Sequence, residues 1–280
     1  MSSGIVFHAA AALAYAVLSV SLWRRLLGAD GIERVGRTIR LCLLGALLLQ
    51  GIALYQTILT KDYLFIGWAS ALSAALWLGL VIFWIESLVV RIDGLQLLLL
   101  PAAAVACGLA ALFPQGQIVP HEHNVWLRLH LVIAFAAYGL MTVAALQALM
   151  MSLMDRHLHR PLEEPASQHL MSRVLDLQPP LLMQERLLFR IIGIGFAVLT
   201  LTVVTGSIAS YALTHRLLPF DHKTVFTLLS WLTFGVLLLG RHLQGWRGRV
   251  ALRWTLAGFA LLILAYTGSR FVLEMILIRG

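Results

Sequence analysis

Histidine is the side chain whose number and placement give this sequence its main capacity for chemistry. The chain has ten histidines, and six of them fall in or near connections that we predict on one side of the protein. Neutral imidazole is a ligand for haem iron, zinc and copper, so converging rings could form a haem or metal site. These residues are His8, His121, His123, His130, His215 and His222.

His130 differs from the histidines in the connections because it lies about one turn inside an apolar segment, four residues after Trp126. A polar ring at membrane depth requires a partner and is a functional candidate by default. The other rings have a simpler explanation, since a polar side chain is also compatible with the headgroup zone of a bilayer. We take His130 as the first candidate ligand and leave both interpretations open for the others.

The elements that must position these rings are apolar and long enough to cross a bilayer. Of the 280 residues, 60% are hydrophobic and 12% are charged, whereas soluble domains carry about 25% charged residues. Apolar blocks of roughly 20 residues can each span about 30 Å of hydrocarbon. They predict an all-α bundle of about eight transmembrane helices in a single integral membrane domain, residues 1–280. The blocks are Gly4–Trp23, Ile39–Leu59, Leu64–Ile85, Leu95–Phe113, Trp126–Met154, Leu188–Ala212, Val225–Leu239 and Ala251–Leu277.

The positive charge of the chain is distributed unevenly between the two predicted sides. Of the 21 Lys and Arg residues, 15 lie in the connections after the first, third, fifth and seventh blocks, and the other 6 lie elsewhere. Lys and Arg in short loops are retained on the cytoplasmic side. The asymmetry therefore predicts that both termini are periplasmic and that residues 155–187 form a cytoplasmic loop. The net charge of +8 is then a topology signal, and no nucleic-acid partner is expected.

Some polar and aromatic residues have a structural explanation. Trp231 lies two turns into its block, where its indole either packs between helices or stacks on a planar ligand, and we favour packing. Glu86 and Asp93 flank a short inner connection and are expected to be solvated. Acidic residues are missing from the middle of the blocks, which argues against ion transport.

The last hundred residues resemble a known family of membrane proteins. The segment Leu187–Phe196 and Gly206 look like the approach to the tryptophan-rich haem motif of CcsA and CcmC type cytochrome c assembly proteins. The segment Asp221–Leu232 is similar to the end of that motif, and a weaker similarity of Trp126–Leu131 extends the resemblance over residues 126–280. With its eight blocks, the whole chain looks most like the YpjD-like branch of the family. Further similarity is carried by Tyr138, Arg241, Gly245–Gly248, Gly258–Phe259 and Tyr266–Gly268.

The resemblance implies a bacterial inner-membrane protein that handles haem at its periplasmic face during cytochrome c maturation. In the family, two outer histidines ligate the haem iron before the haem is handed to an apocytochrome c. The resemblance places His130 at the first of these positions and Asp221 at the aspartate of the motif. His215 and His222 lie in or beside the same loop and are candidates for the second ligand.

The chain also departs from the family pattern. The loop before Asp221 contains no tryptophan, although Phe220 and Tyr211 could stack on a porphyrin in place of indole. Leu239 stands where the family usually has an intramembrane histidine. No histidine follows Phe271, so the second outer ligand of the family is missing from its usual place.

These observations leave three hypotheses open. The first is a haem chaperone or carrier, not an enzyme, whose partners are the lipid bilayer, haem and apocytochrome c or other maturation proteins. The second is a membrane scaffold or assembly factor with the same fold and no haem. The third, which we rank last, is a metal-binding or export site formed by the loop histidines. In the first hypothesis the cofactor-binding residues are His130, Asp221, His222, His215, Phe220 and Trp231, with His130 and His222 as iron ligands and Lys223 and Arg216 facing the propionates.

Overall fold

The computed structural model describes residues 2–27, 37–59, 64–88, 93–119, 124–158, 180–215 and 221–265. Within these ranges the chain forms eight α-helices, one for each predicted apolar block, so the predicted all-α membrane bundle is confirmed. Six of the helices are long and apolar enough to cross a membrane, and α4 is a shorter apolar helix. The helices are α1 (Ser2–Leu27), α2 (Arg37–Leu54), α3 (Trp68–Ser87), α4 (Gln96–Leu112), α5 (Val125–Leu158), α6 (Leu181–Thr214), α7 (His222–Gln244) and α8 (Arg249–Ile263).

The helices pack as two groups of four in chain order. In the first group α1 packs on α2 and α4, and α3 packs on both of these helices. In the second group α5 packs on α6 and α8, and α7 packs on both of these. The two groups meet mainly where α3 contacts α5. Each group therefore closes on itself, and its inward faces supply the buried core.

Consecutive helices within a group run antiparallel, as short connections between membrane spans require. Between α2 and α3 the Trp77 indole N–H donates to the Leu47 carbonyl oxygen at 2.8 Å. Seven residues further along α3, Trp84 donates to the Arg40 carbonyl oxygen at 3.2 Å. Since one partner number rises as the other falls, the two helices point in opposite directions.

A fully buried polar network joins the four helices of the first group. The Tyr15 hydroxyl donates to Gln50 Oε1 at 2.8 Å, and the Gln50 amide donates to the Ser73 hydroxyl at 3.0 Å. The Ser73 hydroxyl in turn lies 4.0 Å from the Cys107 sulfur. All four side chains are inaccessible to solvent. The hydrogen bonds satisfy groups that would otherwise be costly inside an apolar bundle.

Two glycines allow the two groups to approach at the backbone level. A Cβ atom at Gly79 of α3 would lie 2.7 Å from the Gly139 carbonyl oxygen of α5. A Cβ atom at Gly139 would in turn overlap the Ala75 carbonyl oxygen. Small residues at such crossings are typical of membrane helices, which gain most of their association energy from close van der Waals packing.

A two-stranded antiparallel sheet pairs the connection between α2 and α3 with the connection between α4 and α5, and it was not predicted from the sequence. Strand β1 (Phe65–Ile66) lies between α2 and α3, and strand β2 (Gln117–Ile118) lies between α4 and α5. Phe65 pairs with Ile118 and Ile66 pairs with Gln117. The sheet lies at the end of the bundle where α5 begins.

The long helices of the second group extend beyond their apolar blocks. Helix α5 continues to Leu158, and α6 begins at Leu181, directly after Pro180. The predicted connection 155–187 is therefore shorter than expected. Hydropathy excluded Glu185 and Arg186 from the block because they are charged, although both belong to the first turns of α6.

Charged side chains pair across helices at the end of the bundle opposite to the sheet. Arg241 Nη1 lies 3.3 Å from Glu185 Oε1, and the Arg241 guanidinium carbon lies 3.5 Å from the centroid of the Phe189 ring. Arg249 Nε lies 2.7 Å from Asp155 Oδ2. These pairs tie α6 to α7 and α5 to α8 at the end where most of the arginines are found.

The expectation that Glu86 is solvated was wrong. Its carboxylate lies 3.3 Å from Arg190 Nε, and its side chain is only 12% exposed. Because Arg190 belongs to α6, the pair links the two groups near the basic end. The sequence placed Glu86 at the end of an apolar block but contained no indication of which arginine faces it.

Candidate functional site

His130 is the sixth residue of α5 and lies near the end of the bundle that carries the sheet. Its ring is half-buried and points toward α6, where Nδ1 lies 3.3 Å from Thr205 Oγ1. The helix start is fixed by Asn124, whose side-chain oxygen accepts from the Trp126 backbone N–H at 2.9 Å. Asparagine at this position satisfies an N–H group that would have no partner within the helix. The cap and the Thr205 contact together define where the ring lies.

Gly206 provides the space that the His130 ring occupies. A Cβ atom at Gly206 would lie 2.9 Å from His130 Cε1 and 3.3 Å from Nδ1. Any larger residue would push the imidazole away from α6. From the sequence, Gly206 was identified only through the family resemblance, and Thr205 was not identified. A Thr-Gly pair inside an apolar helix was the available signal, since both residues weaken an isolated helix.

Asp221 caps α7 at the same end of the bundle. Its carboxylate accepts from the Thr224 backbone N–H at 2.9 Å and from the Thr224 hydroxyl at 2.6 Å. Partial burial raises the pKa of Asp221, but the hydrogen bonds from Thr224 and the charge of Lys223 outweigh it and leave the pKa below its usual value. The capping contribution is thus present at neutral pH and is lost only as the pH falls through this lowered value. The residue begins the helix that carries His222, whose side chain is exposed.

His215 ends α6 in a left-handed conformation with φ of 56°. Its exposed ring packs edge-on against Tyr211, with centroids 5.9 Å apart. The nine residues from Gly206 to His215 correspond to a rise of about 13 Å along the helix. Two nitrogens that ligate one metal ion lie only about 4 Å apart, because each bond is close to 2 Å. The structure therefore does not bring His215 and His130 together.

Trp231 of α7 contacts a different side of α6 from the one that faces His130. Its indole N–H donates to Thr200 Oγ1 at 2.9 Å, and its ring stacks on Phe196 with centroids 5.7 Å apart. Thr200 and Thr205 are separated by about 140° around α6 and about 7 Å along it. Trp231 thus packs between α6 and α7, as favoured from the sequence, and is not adjacent to the His130 ring.

Several predicted residues lie outside the described ranges, so their placement is not part of this site. They are Phe220 and Arg216 in the connection between α6 and α7, and His121 and His123 in the connection before α5. Among the residues described, no hydrogen bond or ring contact joins His130 to His215 or His222.

His8 is a second membrane histidine, and it belongs to the first group. It lies near the start of α1, and its side chain is only 1% exposed. Neither of its ring nitrogens has a hydrogen-bond partner among the described residues. It lies on the same face of α1 as Tyr15, seven residues on, which makes it an enclosed polar group above the buried network.

Comparison with known proteins places this arrangement in a family. The family described as "Cytochrome C assembly protein" matches residues 38–277, which include all of α3 to α8 and nearly all of α2. The chain belongs to the cytochrome c assembly family. His130, Thr205 and Gly206 fall within the matched region, whereas His8 and the rest of α1 precede it.

Individual relatives agree with this assignment. An uncharacterized 28.8 kDa protein of Azospirillum brasilense is 32% identical over 218 residues, which cover 75% of this chain and 78% of the relative. "Inner membrane protein YpjD" of Escherichia coli is 32% identical over 176 residues, 62% of either chain. "Cytochrome c biogenesis protein CcsA" of Chlamydomonas reinhardtii is 23% identical over 159 residues, 57% of this chain and 42% of the relative. The matched region therefore spans less than two thirds of the length of YpjD and of CcsA. The higher identity to YpjD supports the YpjD-like branch of the family.

Proposed function

We propose that this cytochrome c assembly family protein binds haem at the periplasmic face of the bacterial inner membrane during cytochrome c maturation, with His130 as the iron ligand. The observation that carries the proposal is the placement of the His130 ring. The ring contacts Thr205 and packs against Gly206, about one and a half turns after the first residue of α5. A membrane histidine that is held in this way and still half-exposed can bind a group that approaches from outside the bundle.

The donor chemistry of the residues present fits a haem group, because a neutral imidazole nitrogen is a common axial ligand of haem iron. Gly206 positions this ligand, since the His130 ring occupies the space that a Cβ atom would take there. Trp126, one turn before His130 and 46% exposed, offers an indole surface on the same side of the helix end. Bound haem would supply the iron porphyrin that an apocytochrome c needs.

The second iron ligand in this proposal comes from the α6–α7 connection. His222 is the better candidate, because it begins α7 and follows the capping residue Asp221. His215 lies about 13 Å beyond Gly206 along α6 and would require a change at the helix end. Lys223 is exposed beside Asp221 and supplies a positive charge suited to a propionate.

We further propose that the protein acts as a chaperone or carrier and not as an enzyme. Holding, orienting and releasing haem require ligation and charge pairing but no covalent step by a side chain. The charged pairs at the opposite end, such as Arg241 with Glu185, would stabilise the bundle on the cytoplasmic side.

A scaffold without haem is the second candidate, and a specific observation favours it. His130 and His215, two of the proposed ligands, are attached at different levels of the bundle. A protein whose ligands do not converge could still bind a maturation partner through the same fold.

The test is the haem content of the full-length protein purified from membranes of cells with abundant haem. We expect a pyridine haemochrome spectrum with a stoichiometric amount of haem in the wild type. His130→Ala should lower the haem content by more than about tenfold, because it removes the ligand. His242→Ala is the matched control, since His242 is an exposed histidine near the opposite end of α7.

The possible outcomes separate the candidates. Absence of stoichiometric haem from the wild type would overturn the haem proposal and leave the scaffold. Equal losses in the His130 and His242 variants would show that the ligand lies elsewhere. A larger loss in His222→Ala than in His215→Ala would support the choice of second ligand, and the reverse order would overturn it.

A further inference from the structure

The hydroxyl of Thr205 already has a use within its own helix. Thr205 Oγ1 lies 2.7 Å from the Leu201 carbonyl oxygen and 3.3 Å from the Thr202 carbonyl oxygen. A hydroxyl has one hydrogen to donate and two lone pairs that accept, whereas a carbonyl oxygen only accepts. The hydroxyl hydrogen must therefore point toward the carbonyls of α6. What remains on Oγ1 for any further partner is acceptor capacity.

This arrangement decides the direction of the contact with His130. Nδ1 lies 3.3 Å from the same oxygen, and Oγ1 can take part in that contact only as an acceptor. A hydrogen bond across this contact requires the hydrogen to be on Nδ1. Neutral imidazole has one N–H group, so the hydrogen on Nδ1 leaves a free lone pair on Nε2.

We propose that Thr205 is a positioning residue that holds His130 as the Nδ1–H tautomer and so presents the Nε2 lone pair to iron. The inference rests on the proposed haem function and adds to it the residue that sets the ligand. Histidines that ligate metals commonly donate their other N–H to a protein acceptor, which fixes the orientation of the ring and raises its basicity. Here the acceptor is a threonine hydroxyl whose own hydrogen is bound to the helix backbone.

Gly206, the next residue of α6, supports the same orientation of the ring by its shape. The ring lies against the glycine, with Cε1 and Nδ1 nearest to the position that a Cβ atom would take and Nε2 further away, at 3.7 Å. The Cε1 and Nδ1 edge thus faces α6, and Nε2 is the nitrogen that is turned further from it. The two neighbouring residues of α6 therefore act on one ring, Thr205 by hydrogen bonding and Gly206 by shape.

The tautomer can be measured without haem. The full-length protein is labelled with ¹⁵N-histidine, purified in detergent without added haem, and studied by ¹⁵N NMR at a pH where the ring is neutral. The His130 signals are identified by their loss in His130→Gln. We expect a protonated Nδ1 and an unprotonated Nε2 in the wild type. A protonated Nε2 would overturn the inference, whatever the protein binds.

Substitutions at Thr205 test the role of the hydroxyl. Thr205→Val keeps the side-chain shape and removes the hydroxyl acceptor, leaving the Thr202 carbonyl beside the ring, so the share of the Nδ1–H tautomer in the His130 signals should fall below that of the wild type. Thr205→Ser keeps the hydroxyl and should restore the wild-type pattern. Thr202→Val is the matched control, because the Thr202 hydroxyl donates to the Val198 carbonyl oxygen of the same helix. The substitution removes a hydroxyl from α6 and keeps the Thr202 backbone carbonyl. Equal changes in the Val and Ser variants at position 205 would overturn the inference.

Haem-loaded protein gives a separate readout. In Thr205→Val the affinity for haem should fall by about tenfold, as expected when a supporting hydrogen bond to a ligand is lost. The reduction potential should become more positive, since a less basic imidazole stabilises ferric iron less. If the wild type shows the Nδ1–H tautomer but binds no haem, the proposed function fails while the assignment of Thr205 stands. If haem binds through His130 with the other tautomer, the function stands and the assignment of Thr205 fails.

Discussion

The membrane histidine of the first group of helices, His8, is enclosed, whereas that of the second group, His130, is half-exposed. Tyr15, Gln50 and Ser73 satisfy one another out of reach of solvent, and His8 above them has no hydrogen-bond partner among the described residues. In the second group, His130 is half-exposed and has Thr205 as its partner. Both histidines lie in membrane helices near the same end. Membrane depth alone therefore does not identify a ligand, because access and a defined partner are also required.

The two groups contact each other at the backbone level where Gly79 of α3 faces Gly139 of α5. Gly139→Ala would place a methyl group against the backbone of α3 at Ala75 and Gly79. Since backbone atoms cannot move aside as side chains do, we expect a loss of about 3 kcal/mol in the free energy of unfolding. The measurement is thermal or denaturant unfolding in detergent micelles.

Gly45→Ala is the control for the contact between Gly79 and Gly139. A Cβ atom at Gly45 meets nothing within 4 Å, so this variant should instead be stabilised by roughly 0.5–1 kcal/mol through the higher helix propensity of alanine. Equal stability of the two variants would mean that the groups do not meet at these glycines.

A smaller change tests the site of the second group by itself. Gly206→Ala should displace the His130 ring and reduce the haem content by about tenfold while the bundle remains folded. Gly193→Ala lies in the same helix, where a Cβ atom meets nothing within 4 Å, and should leave the haem content unchanged. Haem per protein is measured from the pyridine haemochrome, and similar values for both variants would contradict the cradle.

The smallest expected effect is that of a substitution at His8, which should raise the free energy of unfolding where Gly139→Ala lowers it. His8→Leu replaces a buried ring that lacks hydrogen bonds with an apolar side chain of similar size. We expect the free energy of unfolding to rise by about 1 kcal/mol, because the desolvation cost of two polar nitrogens is removed. The haem content should not change.

The unfolding midpoint of purified His8→Leu checks this expectation beside that of His130→Leu, which should show no such gain. A loss of stability or of haem in His8→Leu would mean that His8 has a partner or a function, and the contrast between the two histidines would no longer hold.

The sequence was sufficient for the helices because apolar length is a local property. Each block of about 20 residues predicted one helix, and the basic residues correctly separated one end of the bundle from the other. Which end faces the periplasm remains a prediction from the charge asymmetry. The ends of α5 and α6 were placed less well, because charged residues such as Glu185 continue a helix beyond the apolar region.

Contacts between distant segments could not be predicted in the same way. Each strand of the sheet has only two residues, too few for an alternating pattern to be visible. Thr205 lies 75 residues from His130, and its side chain alone does not indicate which helix it faces. The pairing of Glu86 with Arg190 likewise depends on the meeting of the two groups. His130 was selected from the sequence because a histidine inside an apolar block is unusual, and its role as a ligand remains a prediction.

The contacts between the two groups have a mechanical consequence. Gly79 of α3 packs on Gly139 of α5, and seven residues further along α3 Glu86 pairs with Arg190 of α6. Seven residues correspond to about 10 Å along a helix, so the two contacts lie at different levels of the bundle. Contacts at two levels oppose tilting of one group against the other, and the first four helices thus support the helices that carry His130.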